Sequence, residues 1–179
     1  MTACKIITLV IIISALNNSN SAGSNYLHFK YSETVNNFLD TNVKIGNAIE
    51  YAGTIIVGDV VKAEKKFKKN IQIWILNIHL PSGGFVEMEI SASEKKILQI
   101  KSDEGPFEYD LEPGEGIVSF NSAKKNAEDH SGLKILKWVL KQNKEKYEYN
   151  FWVFTKSGKA QVKIDAGTGD LILNNKKKK

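Results

Sequence analysis

IGNAIEYA at Ile45–Ala52 and FNSAKKNA at Phe120–Ala127 stand 75 positions apart and share one pattern. Each sets an apolar residue, then Ala three on, then Ala four further: Ile45, Ala48 and Ala52 in one, Phe120, Ala123 and Ala127 in the other. That i, i+3, i+7 spacing marks one face of a helix. Ser119 is placed to cap the second helix and Thr41 or Asn42 the first, and Gly58 and Gly132 mark the exits. Strand-like runs follow each helix: Val60–Lys68, Ile71–Leu80, Phe85–Ile90 and Ile97–Ile100, then Leu133–Lys141, Tyr147–Phe154, Ala160–Ile164 and Leu171–Leu173. The turns correspond as well, PSGG at Pro81–Gly84 answering KSGK at Lys156–Lys159, and ISASEKKIL from Ile90 answering IDAGTGDLI from Ile164. Short connections between β-branched and aromatic runs predict antiparallel hairpins. The expected fold is therefore α+β, with two tandem units, each a helix packed on a three- to four-stranded antiparallel sheet.

The rest of the chain is organised around these halves. Met1–Lys5 carries one basic residue, Ile6–Leu16 is an apolar run, and NNSNSAGS follows. That is the order of a secretory signal peptide, and the run is shorter than the roughly 20 residues of a membrane span. Residues 1–22 are thus expected to be removed on export, with cleavage after Ala22, or alternatively after Ser21 or Ser19, leaving no transmembrane span; an uncleaved membrane anchor is the competing reading. Cys4 goes with them, and no cysteine follows the apolar run to serve lipoprotein processing. Residues 23–40 form an N-terminal segment that can be helical. The first unit is 41–102, an acidic linker runs 103–116, the second unit is 117–175, and a Lys tail closes the chain at 176–179. The linker, DEGPFEYDLEPGEG, holds six acids and no lysine, and reads as solvated; it lacks the alternating acids of a calcium loop.

Charge restricts the partners. The net charge of +5 comes from Lys5 and the terminal lysines, because Gly23–Asn175 holds 20 lysines against 20 acids. There is no Arg, the usual reader of phosphate and guanine, so a nucleic-acid partner is not expected.

FNSAKKNA, Gly132, YEYNFWVF, the KSGKAQVKI hairpin and the closing DAGTGDLI together resemble a PepSY domain. Asp165, Ala166, Thr168 and Gly169 stand at the family-signature positions, with Asp170 in place of the usual Glu. The first half looks like a degenerate copy: Ala48, Ile49 and Ala52 fit the helix, but ISASEKKIL lacks the Asp, Thr and Gly. The resemblance implies an exported, periplasmic or extracellular binding or regulatory module of the bacterial cell envelope, whose protein partner is a secreted peptidase or envelope protein. The residues themselves also account for the signature as a structural turn, since Asp and Thr accept backbone hydrogen bonds and Gly supplies a positive φ.

No catalytic constellation emerges. His28, His79 and His130 lack metal-ligand spacing, no serine sits in G-x-S-x-G, and no phosphate-binding glycine loop is present. Glu87 and Glu89 share a strand face and are the one carboxylate pair worth weighing, in a position where solvated charge is ordinary. No enzyme, cofactor or metal is expected. The candidate partner contact is Trp152 and Phe154, which alternate on one strand, with Lys156 and Lys159 of the adjoining hairpin. Burial of Trp74 and Trp152 by a neighbouring segment competes with that reading. The alternative function is a structural or surface-associated protein held to an anionic polymer or membrane by its Lys tail and the hairpin KKFKK (Lys65–Lys69).

Overall fold

The structure, a computed structural model, describes residues 10–12 and 44–176 apart from 69 and 157. The expected signal (apart from 10–12), the segment 23–40 and the tail residues 177–179 lie outside the described residues. Along the chain come β1 (Val10–Ile12), α1 (Ile45–Gly53), β2 (Asp59–Lys68), β3 (Ile71–His79), β4 (Phe85–Ser91) and β5 (Ile97–Ser102). Then follow α2 (Phe120–Ser131), β6 (Ile135–Asn143), β7 (Lys146–Thr155), β8 (Gly158–Asp165) and β9 (Leu171–Lys176). Lys176, counted in the expected tail, ends β9.

The two sheets expected from the two halves are one sheet. Its nine strands lie in chain order and every neighbouring pair described is antiparallel. The seam is β5 against β6, with Gln99 opposite Lys141 and Ser102 opposite Trp138. Left apart, each half would end in an open edge with unpaired N–H and C=O groups, and the seam satisfies both. Among the described residues, no helix is long and apolar enough to cross a membrane.

Both helices lie on one face. Ala48 and Ala52 of α1, and Phe120, Ala123 and Ala127 of α2, are buried, as the spacing requires. Under them the sheet presents Trp74, Leu76, Ile78, Val86, Met88, Ile90, Tyr149, Phe151, Val153, Val162 and Ile164 in one core. Phe120 is the centre of its aromatic part, its ring 5.2 Å from Tyr109, 4.5 Å from Trp138 and 6.2 Å from Phe151. The polar tips in this core are matched: Trp138 Nε1–H donates to Tyr109 Oη at 2.9 Å, and Tyr149 Oη–H to Val118 O at 2.9 Å. Burial drives the Tyr109 hydroxyl up to about 12 and raises that of Tyr149 further, so both stay protonated, Tyr109 accepting from Trp138 and Tyr149 donating to Val118.

Three local expectations change. The cap of α1 is Lys44, not Thr41 or Asn42, and its side chain makes no capping bond. Gly58 is not a helix exit, because α1 ends at Gly53 with Thr54 as its cap. A Cβ at Gly58 would come within 2.7 Å of His79 O and Ile78 Cγ2, so close approach to β3 excludes any side chain there. At Gly132 the exit holds: the residue is left-handed at φ 66 and donates to Glu128 O at 2.7 Å.

The acidic segment 103–116 is not a free solvated linker. It buries Phe107 and Leu111 in the core. Its backbone is tied at Glu112 N–H to Ile55 O (3.0 Å) and at Leu111 O by Phe120 N–H (3.1 Å). Asp110 Oδ1 accepts from Asn121 N–H at 3.0 Å, while Ser119 Oγ accepts from Ser122 N–H at 3.3 Å, so α2 has two capping acceptors. The acids of the segment stay outside while Phe107, Tyr109 and Leu111 supply the inward side chains.

Candidate functional site

The signature residues form a turn between β8 and β9 in which every backbone N–H from Asp165 to Asp170 is used. Asp165 Oδ1 accepts from Gly167 N–H at 2.8 Å and Thr168 N–H at 3.2 Å. Thr168 Oγ1 accepts from Asp170 N–H at 3.2 Å. Asp165 O accepts from Gly169 N–H and Asp165 N–H donates to Asp170 O, both at 2.8 Å. Gly169 has φ 81, a region L side chains avoid. The turn is also tied to its surroundings. Ala166 is fully buried, donates to Tyr147 O at 3.1 Å and accepts from Val118 N–H at 2.8 Å, and Asn126 Nδ2 of α2 donates to Gly169 O at 2.9 Å.

The first half builds the same turn from other residues. Ser91 stands 74 positions before Asp165, and its Oγ accepts from Glu94 N–H at 3.3 Å. Ser91 O accepts from Lys95 N–H at 3.2 Å, Ser91 N–H donates to Lys96 O at 2.8 Å, and Ala92 N–H donates to Gln72 O at 2.8 Å. Lys95 holds the left-handed position of Gly169, at φ 50, and its Nζ lies 5.6 Å from the Tyr51 ring. Tyr51 and Asn126 occupy matching positions of α1 and α2, and each reaches its own turn. Sequence reading noted the loss of Asp, Thr and Gly here; the backbone bonds that survive depend on main-chain groups and leave little trace in residue types.

The sheet face away from the helices is polar, and among the described residues no helix packs on it. Glu64, Glu89 and Glu148 are buried at 7%, 6% and 8% exposure, each beneath lysines. Lys68 on β2 reaches Glu89 on β4 at 2.7 Å, bridging β3 where Ile73 lies between them. Among the described residues, this bridge and the lysine stems are what lie over the buried Ile73. The apolar second face read from the sequence is thus covered by charged side chains. Glu87 is held by Lys101 at 3.0 Å, so the Glu87–Glu89 pair is two ion pairs. Farther across, Gln161 Nε2 donates to Asn150 Oδ1 (2.8 Å), Asn150 Nδ2 to Glu148 Oε1 (3.2 Å), and Lys141 Nζ lies 3.1 Å from that oxygen. Burial would raise the Glu148 carboxyl, but the Asn150 and Lys141 bonds and the charges of Lys163 and Lys141 outweigh it and hold the carboxyl low. Hydrogen bonds from Lys62 and Lys66 likewise lower Glu64.

The candidate contact residues lie at one end of this face. Trp152 is half-buried between its cross-strand neighbours Lys137 and Gln161, with Lys137 Nζ 4.7 Å from the ring centroid. Phe154 is 57% exposed, with Lys159 Nζ 5.7 Å from its ring. Lys156 is exposed in the adjoining turn. Two ring-and-lysine pairs are thus seen, Lys137 over Trp152 and Lys159 over Phe154; Lys137 is an addition the sequence did not suggest, brought over Trp152 by the β6–β7 register. Trp74 lies on the other face and is buried. Among the described residues, no group of three or more His, Cys, Asp or Glu is placed to hold a metal ion.

Comparison with known proteins places a PepSY domain, described as the peptidase propeptide and YPEB domain, at residues 117–173. A crystal structure from Clostridium difficile 630, described as that of "a putative lipoprotein", shares 12% identity with a TM-score of 0.35, over 75% of this chain and 93% of that one. None of the curated proteins matches the chain.

Proposed function

We propose that this protein, which carries a PepSY domain at 117–173, is a non-enzymatic, exported binding or regulatory module of the bacterial cell envelope that modulates a secreted peptidase. The carrying observation is that domain, in a family associated with peptidase propeptides. On this reading residues 1–22 are a removed signal and the protein works outside the cytoplasm.

The first half is, on the same reading, a degenerate second copy. The elements favour it: α1 and α2 begin 75 positions apart at Ile45 and Phe120, and β3 and β7 likewise at Ile71 and Lys146. The shared turn bonds at Ser91 and Asp165 favour it further. The partner contact is Trp152, Phe154, Lys156 and Lys159, where two rings bordered by lysines make an apolar anchor with a polar rim. The competing attachment through KKFKK is weakened by the structure, because Lys66 and Lys68 spend their charge on Glu64 and Glu89.

The test is to add the purified protein to native envelope extract and follow its proteolytic activity at low salt and at about 0.5 M salt, where charges are screened within a few Å. A change in activity that persists at high salt and is lost in the Trp152→Ala/Phe154→Ala double variant is expected. Activity indifferent to the protein at both salts overturns the reading.

A further inference from the structure

We propose that Trp74 and the turn after β4 form a docking site for a segment of this same chain, the one that leads into α1. The occupant is seated at Val43, whose N–H donates to Ala92 O and whose carbonyl accepts from Trp74 Nε1–H. This goes beyond the peptidase reading and does not depend on it, because it rests on the matching geometry of the two halves.

In the second half, the residue before the cap of α2 is held at both of its backbone polar groups. Val118 N–H donates to Ala166 O at 2.8 Å, and Val118 O accepts from Tyr149 Oη–H at 2.9 Å. The first half repeats the surroundings of that residue. Trp74 lies opposite Ile90 as Tyr149 lies opposite Ile164, and Ala63 lies opposite Leu76 as Trp138 lies opposite Phe151. Ala92 N–H donates to Gln72 O at 2.8 Å, as Ala166 N–H donates to Tyr147 O at 3.1 Å. The two cap residues share a backbone conformation, φ −65 and ψ 154 at Lys44 against φ −59 and ψ 156 at Ser119. Their carbonyls accept at 3.1 Å from Ala48 N–H and Ala123 N–H respectively. Equal cap dihedrals send the chain away from both helices in the same direction, so position 43 stands to Ala92 as Val118 stands to Ala166.

The residue 75 positions before Val118 is also a valine, Val43. Two requirements meet on it. Ala92 is fully buried and, among the described residues, no N–H is directed at its carbonyl, whereas buried backbone carbonyls are paired. Trp74 is buried where Tyr149 is buried, and its one donor, the indole N–H, takes the part of the Tyr149 hydroxyl. Val43 supplies a group for each. The turn that matches the family signature is then used inside the chain, and the residues ahead of α1 are to the first half what 103–116 is to the second.

The experiment is magnetic resonance on the whole, isotopically labelled protein. The expected result is a nuclear Overhauser contact between the Trp74 indole proton and Val43, with the Val43 amide exchanging about 100-fold or more slower than in an unstructured chain. In Trp74→Phe, which keeps a ring and loses the donor, the Val43 amide is expected to exchange about tenfold faster, while Val118 changes by less than about twofold. Tyr149→Phe is expected to do the reverse. A Val43 amide exchanging at the unstructured rate in the parent protein, a Trp74 indole proton in contact with other residues only, or equal protection of Val43 in the parent and Trp74→Phe overturns the inference. If Trp74→Phe does not fold, the two measurements on the parent protein decide. None of these results alters the expected effect on proteolysis, so the two readings fail separately.

Discussion

Replacing Asp165 with Ala removes one oxygen that accepts two backbone N–H groups, those of Gly167 and Thr168. Hydrogen bonds to a charged acceptor contribute about 1.5–3 kcal/mol each when sheltered and less when solvated, so a partly exposed carboxylate holding two is worth about 2 kcal/mol in total. The remaining bonds of the turn are made by the backbone and survive the change. For a chain of this size each kcal/mol lowers the melting temperature by about 2–4 °C, which gives an expected loss of about 6 °C. The corresponding change in the first half, Ser91→Ala, removes a neutral acceptor with one weaker bond at 3.3 Å, and about 0.5 kcal/mol, or about 2 °C, is expected. Thermal unfolding followed by circular dichroism on both variants makes the comparison, and adding each to the envelope extract checks regulation separately. If Asp165→Ala melts with the parent protein yet no longer changes proteolysis, the carboxylate is a contact for the partner and the structural account of the signature is refuted.

The left-handed positions of the two turns carry opposite expectations: Gly169→Ala is destabilising by about 1–2 kcal/mol, whereas Lys95→Gly is neutral to stabilising by about 0.5 kcal/mol in denaturant melts, since strain relief exceeds the unfolded-state entropy of Gly. Trp152→Ala is expected to remove about 1–2 kcal/mol, short of the roughly 3–5 of a fully buried aromatic, and Phe154→Ala less than about 0.5, with the effect on proteolysis lost in both. A loss of about 4 kcal/mol at Trp152 in chemical unfolding would mark a core residue in place of a contact. Glu148 and Glu64 have carboxyls held below the ordinary value of 4.5, so their contribution is complete above that pH and is lost as pH falls below it through the folded value. Stability measured from pH 7 to 3 should fall below about 4.5, and more shallowly in Glu148→Gln; an identical profile in that variant refutes the role assigned to the carboxylate.

What could be read from residues alone follows the range of the physical signal. The Ala-bearing helices, the eight strands after them and the capping roles of Ser119 and Gly132 rest on spacing within about ten residues, and all appear. The single sheet was not legible, because nothing in β5 or β6 states that Ser102 will face Trp138. Composition misled over 103–116: its six acids suggested solvent, while Phe107, Tyr109 and Leu111, alternating with acidic and polar neighbours, carried the packing. Gly58 shows the same limit, since its glycine answers to atoms of β3 about twenty residues away. The open face is the sharpest instance. Alternating Ile71, Ile73 and Ile75 looked like a second buried surface, yet the cover over Ile73 is an ion pair from the strands on either side. A lysine can be a solvated charge, an apolar lid or a cation over a ring, and only register separates Lys68 over β3 from Lys137 over Trp152. The same ambiguity governs the contact patch: Trp152 and Phe154 were placed on one face by alternation, but the cations that border their rings come from β6 and β8, and these decide what such a surface can hold.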